Sequence, residues 1–265
     1  MPNLVEASQN DVVDLARECL YRFLAAAITD PYAPGWDALL EPESRQLASQ
    51  AASLVREEAD GPVSDPAFGE LPPEHLDLDS ITRHLKGPTE AIRAEYDRIF
   101  GLVVPRECPP YETEYHRAGD AFFRSQQLAD VAGFYRAFGV DPAGRRPERP
   151  DHIALELEFM ALLMTKQRLA ACDDSGRGVE LAGLCADAGR KFFAEHLVWW
   201  VPAFATGLRR KAQGGYYHDL ARALAALITW DRMHYGLESP SQVAEPSLIE
   251  PSDEQSGCAS CPINV

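Results

Sequence analysis

The chain is 265 residues long and carries 41 acidic against 25 basic residues, a formal net charge of −16, with 46% hydrophobic and 25% charged residues. That composition is ordinary for one or two globular domains, and a surface this negative repels nucleic-acid phosphates and anionic lipid headgroups while drawing in cationic partners. No apolar run reaches the ~18–20 residues that a bilayer crossing needs; the stretches Leu197 to Leu208 and Leu220 to Trp230 are interrupted by Pro202 and Gly207, and by Arg222 and Thr229.

Taken in chain order, apolar residues recur at helical rather than alternating spacing, so an all-α bundle of about eight helices is expected. Ser8 to Asp11 resembles a capping box, followed by Val13, Ala16, Leu20, Phe23, Leu24 and Ala27 on one stripe, and Asp30-Pro31 closes that helix. A second helix is expected from about Glu43 to Glu58, and the Pro-rich stretch Gly61 to Asp79 reads as a loop. A third begins near Pro88 and runs through Ile92, Tyr96, Ile99 and Phe100 to Gly101. After a Pro-rich, acidic, aromatic stretch, the next helix presents Leu128, Val131, Tyr135 and Phe138 and stops at Gly139.

Residues 139–150 hold three prolines, two glycines and Arg145, Arg146 and Arg149, which suggests a hinge between an N-terminal helical part (1–138) and a C-terminal one (151–238). Asp151 can cap the helix that follows, whose stripes Ile153, Leu157, Met160, Met164 and Leu155, Phe159, Leu162 predict a central helix packed on two faces. Three more helices are expected, at about Val179 to His196, Val198 to Lys211 and Tyr216 to Leu237. Residues 239–265 turn to Pro, Ser, Glu and Asp and read as a flexible acidic tail.

Catalytic signatures are absent: the sequence has no Gly-rich phosphate loop, no Gly-x-Ser-x-Gly elbow and no His-Glu-x-x-His helix. Its seven histidines are dispersed, so neither a bundle-type metal site nor a cofactor is expected. Met1 to Asn10 has no basic or apolar region of the secretory kind, which points to the cytoplasm, where Cys19, Cys108, Cys172, Cys185, Cys258 and Cys261 stay unpaired. Cys258-Ala-Ser-Cys261 has metal- or redox-like spacing but lacks a second ligand pair, leaving a weak metal candidate beside an incidental tail. Glu156 and Glu158 are two apart and point in different directions. Glu112 and Glu114 read either as a solvated acidic loop or as contacts for cationic side chains. Pro150-Asp151-His152 reads either as a plain helix start or as an exposed pair lining a partner groove, with the carboxylate free to bind a guanidinium. Of Trp199 and Trp200, one should reach the surface or a seam, since neighbours on a helix face different ways.

Three motifs, taken together and in order, resemble the TorD/DmsD/NarJ family of redox-enzyme maturation chaperones. They are Tyr96-x-x-Ile99-Phe100 with Pro110-Tyr111-Glu112-Thr113-Glu114-Tyr115; Pro150-Asp151-His152 with Glu156-Leu157-Glu158-Phe159-Met160; and Glu195-His196-Leu197 with Trp200-x-Pro202-x-Phe204. The run Leu128 to Gly139 looks closest to chaperones of type II DMSO-reductase-like molybdoenzymes. The resemblance implies an all-helical, non-enzymatic cytoplasmic chaperone. It would bind the twin-arginine or vestigial N-terminal segment of an apo-molybdoenzyme catalytic subunit, assist molybdenum-cofactor insertion alongside cofactor-biosynthesis proteins, and delay export. By motif, the peptide site would include Pro150, Asp151 and His152, with Tyr111, Glu112 and Glu114 as neighbours. Monomer and dimer are both open, since the 139–150 segment could support domain swapping. The competing readings are a nucleotide- or molybdopterin-binding helical protein and a metal or thiol protein acting through Cys258 and Cys261.

Overall fold

The computed structural model describes residues 9–59, 63, 65–101, 105–116, 121–141, 148–173 and 176–240. Among them are nine α-helices: α1 (Gln9–Ile28), α2 (Pro42–Glu57), α3 (Leu78–Leu85), α4 (Thr89–Ile99), α5 (Ala121–Ala137), α6 (Ile153–Ala171), α7 (Gly178–Phe192), α8 (Val201–Ala212) and α9 (Tyr216–His234). The only β-type pairing among the described residues is an isolated antiparallel bridge between Tyr111 and His152. No described helix is long and apolar enough to cross a membrane.

The helix ends follow from local chemistry. Pro42 opens α2, where its missing N–H costs nothing, and the Asp77 carboxylate caps α3 by accepting from Asp79 N at 3.0 Å. α8 stops on left-handed Gln213 (φ 54°), and α9 is capped from another helix, because the Glu95 carboxylate of α4 accepts from Tyr216 N at 3.0 Å and Tyr217 N at 3.2 Å. α3 corrects the loop expected up to Asp79. It is only eight residues long, and it buries Leu78, Ile81 and Leu85 on one face.

α6 is packed between α1 and α7, as its two stripes predict, and α9 is a second central helix buried against α8, α3, α4 and α1. A buried ion pair ties α1 to α9: Arg17 Nε lies 2.8 Å from Asp231 Oδ1, and Tyr21 Oη donates to Asp231 Oδ2 at 2.6 Å. Helices from before and after residues 139–150 pack on one another, with α1 along α6 and α4 against both α8 and α9, and contribute to one buried core. Ser8, Arg145, Arg146, Cys258, Cys261 and nearly all of the tail lie outside the described residues. The four described cysteines are unpaired.

Candidate functional site

Three segments far apart in sequence meet at the N-terminus of α6. Glu112 N donates to Asp151 O at 3.0 Å and Ile153 N to Pro110 O at 2.9 Å, so the stretch around Tyr111 lies antiparallel to the one around His152. Beneath this bridge, the fully buried Asp151 carboxylate accepts from Thr113 N (3.1 Å), Thr113 Oγ1 (2.8 Å), Arg149 Nε (3.0 Å) and Arg149 Nη2 (2.8 Å). Arg149 also approaches Glu114 at 3.4 Å and stacks 4.2 Å above the Tyr111 ring. Asp151 is thus neither exposed nor the cap of α6, both of which the sequence suggested. Its bidentate guanidinium partner is supplied by the same chain, and the cap is His152, whose Nδ1 accepts from Ala154 N at 3.2 Å.

Glu112 is also fully buried, with its carboxylate 3.2 Å from His196 Nδ1. Glu156 lies close by on α6, buried on all sides beside Glu112 and Trp200. Burial first, and the neighbouring Glu112 and Asp151 second, push its carboxyl well above the usual range, which favours the protonated form. Burial likewise raises Glu112, opposed by His196. Glu114 pairs with Arg124 at 3.5 Å as well as with Arg149. Pro150 is half-buried, and its carbonyl accepts from Tyr135 Oη at 2.8 Å.

Above this knot lies a cleft of about 420 Å³ between the end of α1, α4, the Pro110-Tyr111 stretch and the start of α6. Of the six residues singled out by sequence, Tyr111 and His152 line it, their rings 5.3 Å apart edge to face. Tyr96, Phe100 and Leu155 supply its apolar wall, while Asp30, Glu148 and Glu158 supply carboxylates. No lysine or arginine is among the described residues that line it. A second depression of about 360 Å³ (Tyr135, Val140, Asp141, Phe159, Leu162) adjoins the first along α6, with Leu155 and Glu158 lining both, and the pair is called the groove below. Burial pushes His152 below the ordinary imidazole value, so at neutral pH it adds no positive charge. Tyr111 is pushed up to about 12 by burial and by Glu148, whose Oε1 accepts from Tyr111 Oη at 3.2 Å. Glu158 is raised by burial alone, consistent with a carboxylate against an apolar wall. A larger trough between α2 and α3, about 760 Å³, mixes Arg45 and Lys86 with Glu57 and Asp79 and so favours neither sign of ligand.

The sequence reading missed Asp30, Glu148 and Glu158 as groove residues. Glu158 had a visible signal: with Leu155 and Leu162 it falls at i, i+3 and i+7, an acid set within an apolar stripe. Trp199 is half-buried and Trp200 fully buried, as their spacing requires.

The family model for the nitrate reductase delta subunit matches residues 73–206, which takes in all three motifs. The selenate reductase assembly chaperone of Thauera selenatis is 32% identical over 113 residues, covering 43% of this chain and 55% of the relative. The chaperone protein TorD of Aeromonas salmonicida is 25% identical over 158 residues, 58% of this chain and 65% of the relative. The chlorate reductase assembly chaperone of Ideonella dechloratans is 32% identical over 109 residues, 41% and 53% respectively. The matched part of the chain thus spans less than two-thirds of the length of each of these relatives. Since the family model covers just over half of the chain, this protein belongs to the nitrate reductase delta subunit family, the TorD/NarJ group that its motifs resemble.

Proposed function

We propose that the protein is a non-catalytic assembly chaperone for the catalytic subunit of a molybdopterin oxidoreductase, and that the groove along α6 receives that subunit's N-terminal segment. The observation that carries this reading is the groove's composition: aromatic and aliphatic walls, carboxylates from Asp30, Glu148 and Glu158, and no basic residue among its described lining. A twin-arginine segment is cationic and then apolar. Its guanidiniums match the carboxylates, and its apolar residues match the run from Tyr96 and Phe100 past Leu155 to Leu162. The names of the relatives, assembly chaperones of selenate and chlorate reductases, support the same class of client. Because a disordered segment must order as it binds, affinity is modest and the client releasable, which suits a protein that holds an apo-enzyme until its cofactor is inserted and then frees it for export.

In this reading Asp151, Glu112 and Glu114 act from behind the wall, fixing Tyr111 and His152 in place, and do not touch the client. The test is fluorescence anisotropy with a labelled synthetic leader peptide. The peptide should bind saturably, and the version with both arginines replaced by glutamine should bind at least ~10-fold more weakly, a loss of about 1.4 kcal/mol. Equal binding of the two peptides, or no binding of either, overturns the proposal.

A further inference from the structure

We infer a divalent-metal site at the junction of α5 with the turn after α7, with His196 Nε2, Asp130 and Glu195 as its protein ligands. The three ligand atoms lie within 4.8 Å of one another. His196 sits in the π-helical turn Phe193–Leu197, where the backbone departs from the α-helical register, a distortion often found at functional positions. Its ring is held between Phe192 (centroids 4.9 Å) and Phe134 (5.4 Å), and the side chain is only 1% exposed.

The two ring nitrogens have different tasks. Nδ1 faces the buried Glu112 carboxylate at 3.2 Å, and in the neutral tautomer that donates Nδ1–H to Glu112 the Nε2 lone pair is open to an ion. Nε2 is buried without a hydrogen-bond partner among the described residues, and it stands 3.6 Å from Asp130 Oδ2. That separation is too long for a hydrogen bond. It suits two ligands sharing one ion, because with bonds of about 2.0–2.2 Å neighbouring ligand atoms stand roughly 3–4 Å apart. A buried carboxylate holding the far nitrogen of a histidine is also the usual outer-shell support of a metal-bound imidazole, since it fixes the tautomer and raises the ligand's basicity. Glu112, which the sequence offered as a client contact, takes that place here.

The other two ligands lie where an ion can enter. The Asp130 and Glu195 side chains are 59% and 45% exposed, and Glu195 stands 3.9 Å from Lys191, a loose surface pair. One imidazole with two carboxylates suits a first-row transition ion of the zinc class, with water completing the shell. The site also has something to hold. Among its described side chains α5 buries only Val131 and Tyr135, and Phe122 is 78% exposed, so apolar packing anchors this helix weakly. An ion joining Asp130 to Glu195 and His196 would clasp α5 to the bundle, and α5 carries Tyr135, part of the groove wall.

The experiment uses the full chain carrying Cys258→Ser and Cys261→Ser, which removes the tail's thiols as an alternative site. This protein is stripped with chelator and then titrated with Co²⁺, followed by visible absorption, and with Zn²⁺, followed by calorimetry. One equivalent should bind, with a rise in Tm. Adding Asp130→Asn and Glu195→Gln, both at exposed positions that leave the fold intact, should weaken binding at least ~100-fold and abolish the rise. No binding by the parent, or binding unchanged by the two ligand substitutions, overturns the site.

Discussion

Replacing Asp151 separates two roles that its motif leaves equally open. The wild-type carboxylate accepts four hydrogen bonds, two from Thr113 and two from Arg149. Asp151→Ala leaves the buried Thr113 N–H and hydroxyl without their acceptor, and a buried donor left unsatisfied costs about 1–3 kcal/mol. Breaking a buried ion pair by removing one partner costs about 3–5 kcal/mol in the worst case. Two facts soften that figure here: the Arg149 side chain is 38% exposed and can be rehydrated, and Glu114 already stands 3.4 Å from it. The expected loss is therefore about 2–4 kcal/mol, which for a chain of this size lowers Tm by roughly 5–15 °C. Urea unfolding should show an earlier midpoint with an unchanged slope, since the exposed surface differs little. Leader-peptide affinity, measured well below the transition, should fall far less than stability does. If Asp151→Ala unfolds at the wild-type midpoint but no longer binds the peptide, the carboxylate is a client contact and not a support behind the wall.

Three further substitutions probe the groove, the buried carboxyl and a close backbone approach. Glu158→Lys puts a cation in the middle of the groove at an exposed position, so it should leave the unfolding midpoint within ~0.5 kcal/mol while weakening the leader peptide by ~10-fold or more; wild-type affinity in anisotropy would remove Glu158 from the site. Glu156 has a folded-state pKa raised above its ordinary 4.5, so its stabilising contribution is complete below that value and is lost as pH climbs through the raised one, at about 1.4 kcal/mol per unit of difference. Glu156→Gln, neutral throughout, should therefore gain on the wild type as pH rises from about 5 to 8, and parallel stability curves would refute the assignment. Gly69 has φ +84°, and a Cβ there would lie 2.3 Å from the Pro202 carbonyl, whereas Gly35 at φ +91° has open space around it. Gly69→Ala should cost clearly more than the ~1–3 kcal/mol of backbone strain shared by both positions, and equal midpoints for the two alanine variants would show that the clash relaxes freely.

The helical class and the place of α6 were legible because long apolar stripes at 3.6 spacing fit a helix and no strand; α3 was not, although Leu78, Ile81 and Leu85 carry the same spacing behind the Asp77 cap. Eight residues behind four prolines give too short a pattern to outweigh the loop composition. The π-turn at Phe193–Leu197 is a shift in hydrogen-bond register, which no residue type announces. The motif residues gather at the start of α6, but the direction of their side chains was not legible in the sequence. Whether Glu112 and Asp151 face solvent or core depends on His196, 84 residues from Glu112, and on Thr113, 38 residues from Asp151. Local sequence holds no record of such partners, so inward and outward carboxylates look alike until the fold is known.

The placement of charge relative to the wall gives the motif residues a common logic. Under the proposed function, a carboxylate facing a client's arginine keeps at least one oxygen open to water, as the exposed Glu158 does, whereas a group satisfied on every side by its own chain has little left to offer. Asp151 and Glu112 are satisfied in that way, by Arg149 and Thr113 and by His196. Under the proposed function, what they would supply is rigidity: Tyr111 and His152, joined by the backbone bridge, would have little freedom to lose on docking a peptide. A wall fixed in advance would lower the ordering cost on this chain's side and leave the larger cost with a disordered client. Under the proposed function, affinity would then be governed by how well the client's own residues fill the apolar run and meet the rim carboxylates, and discrimination would rest with the groove lining rather than with the knot.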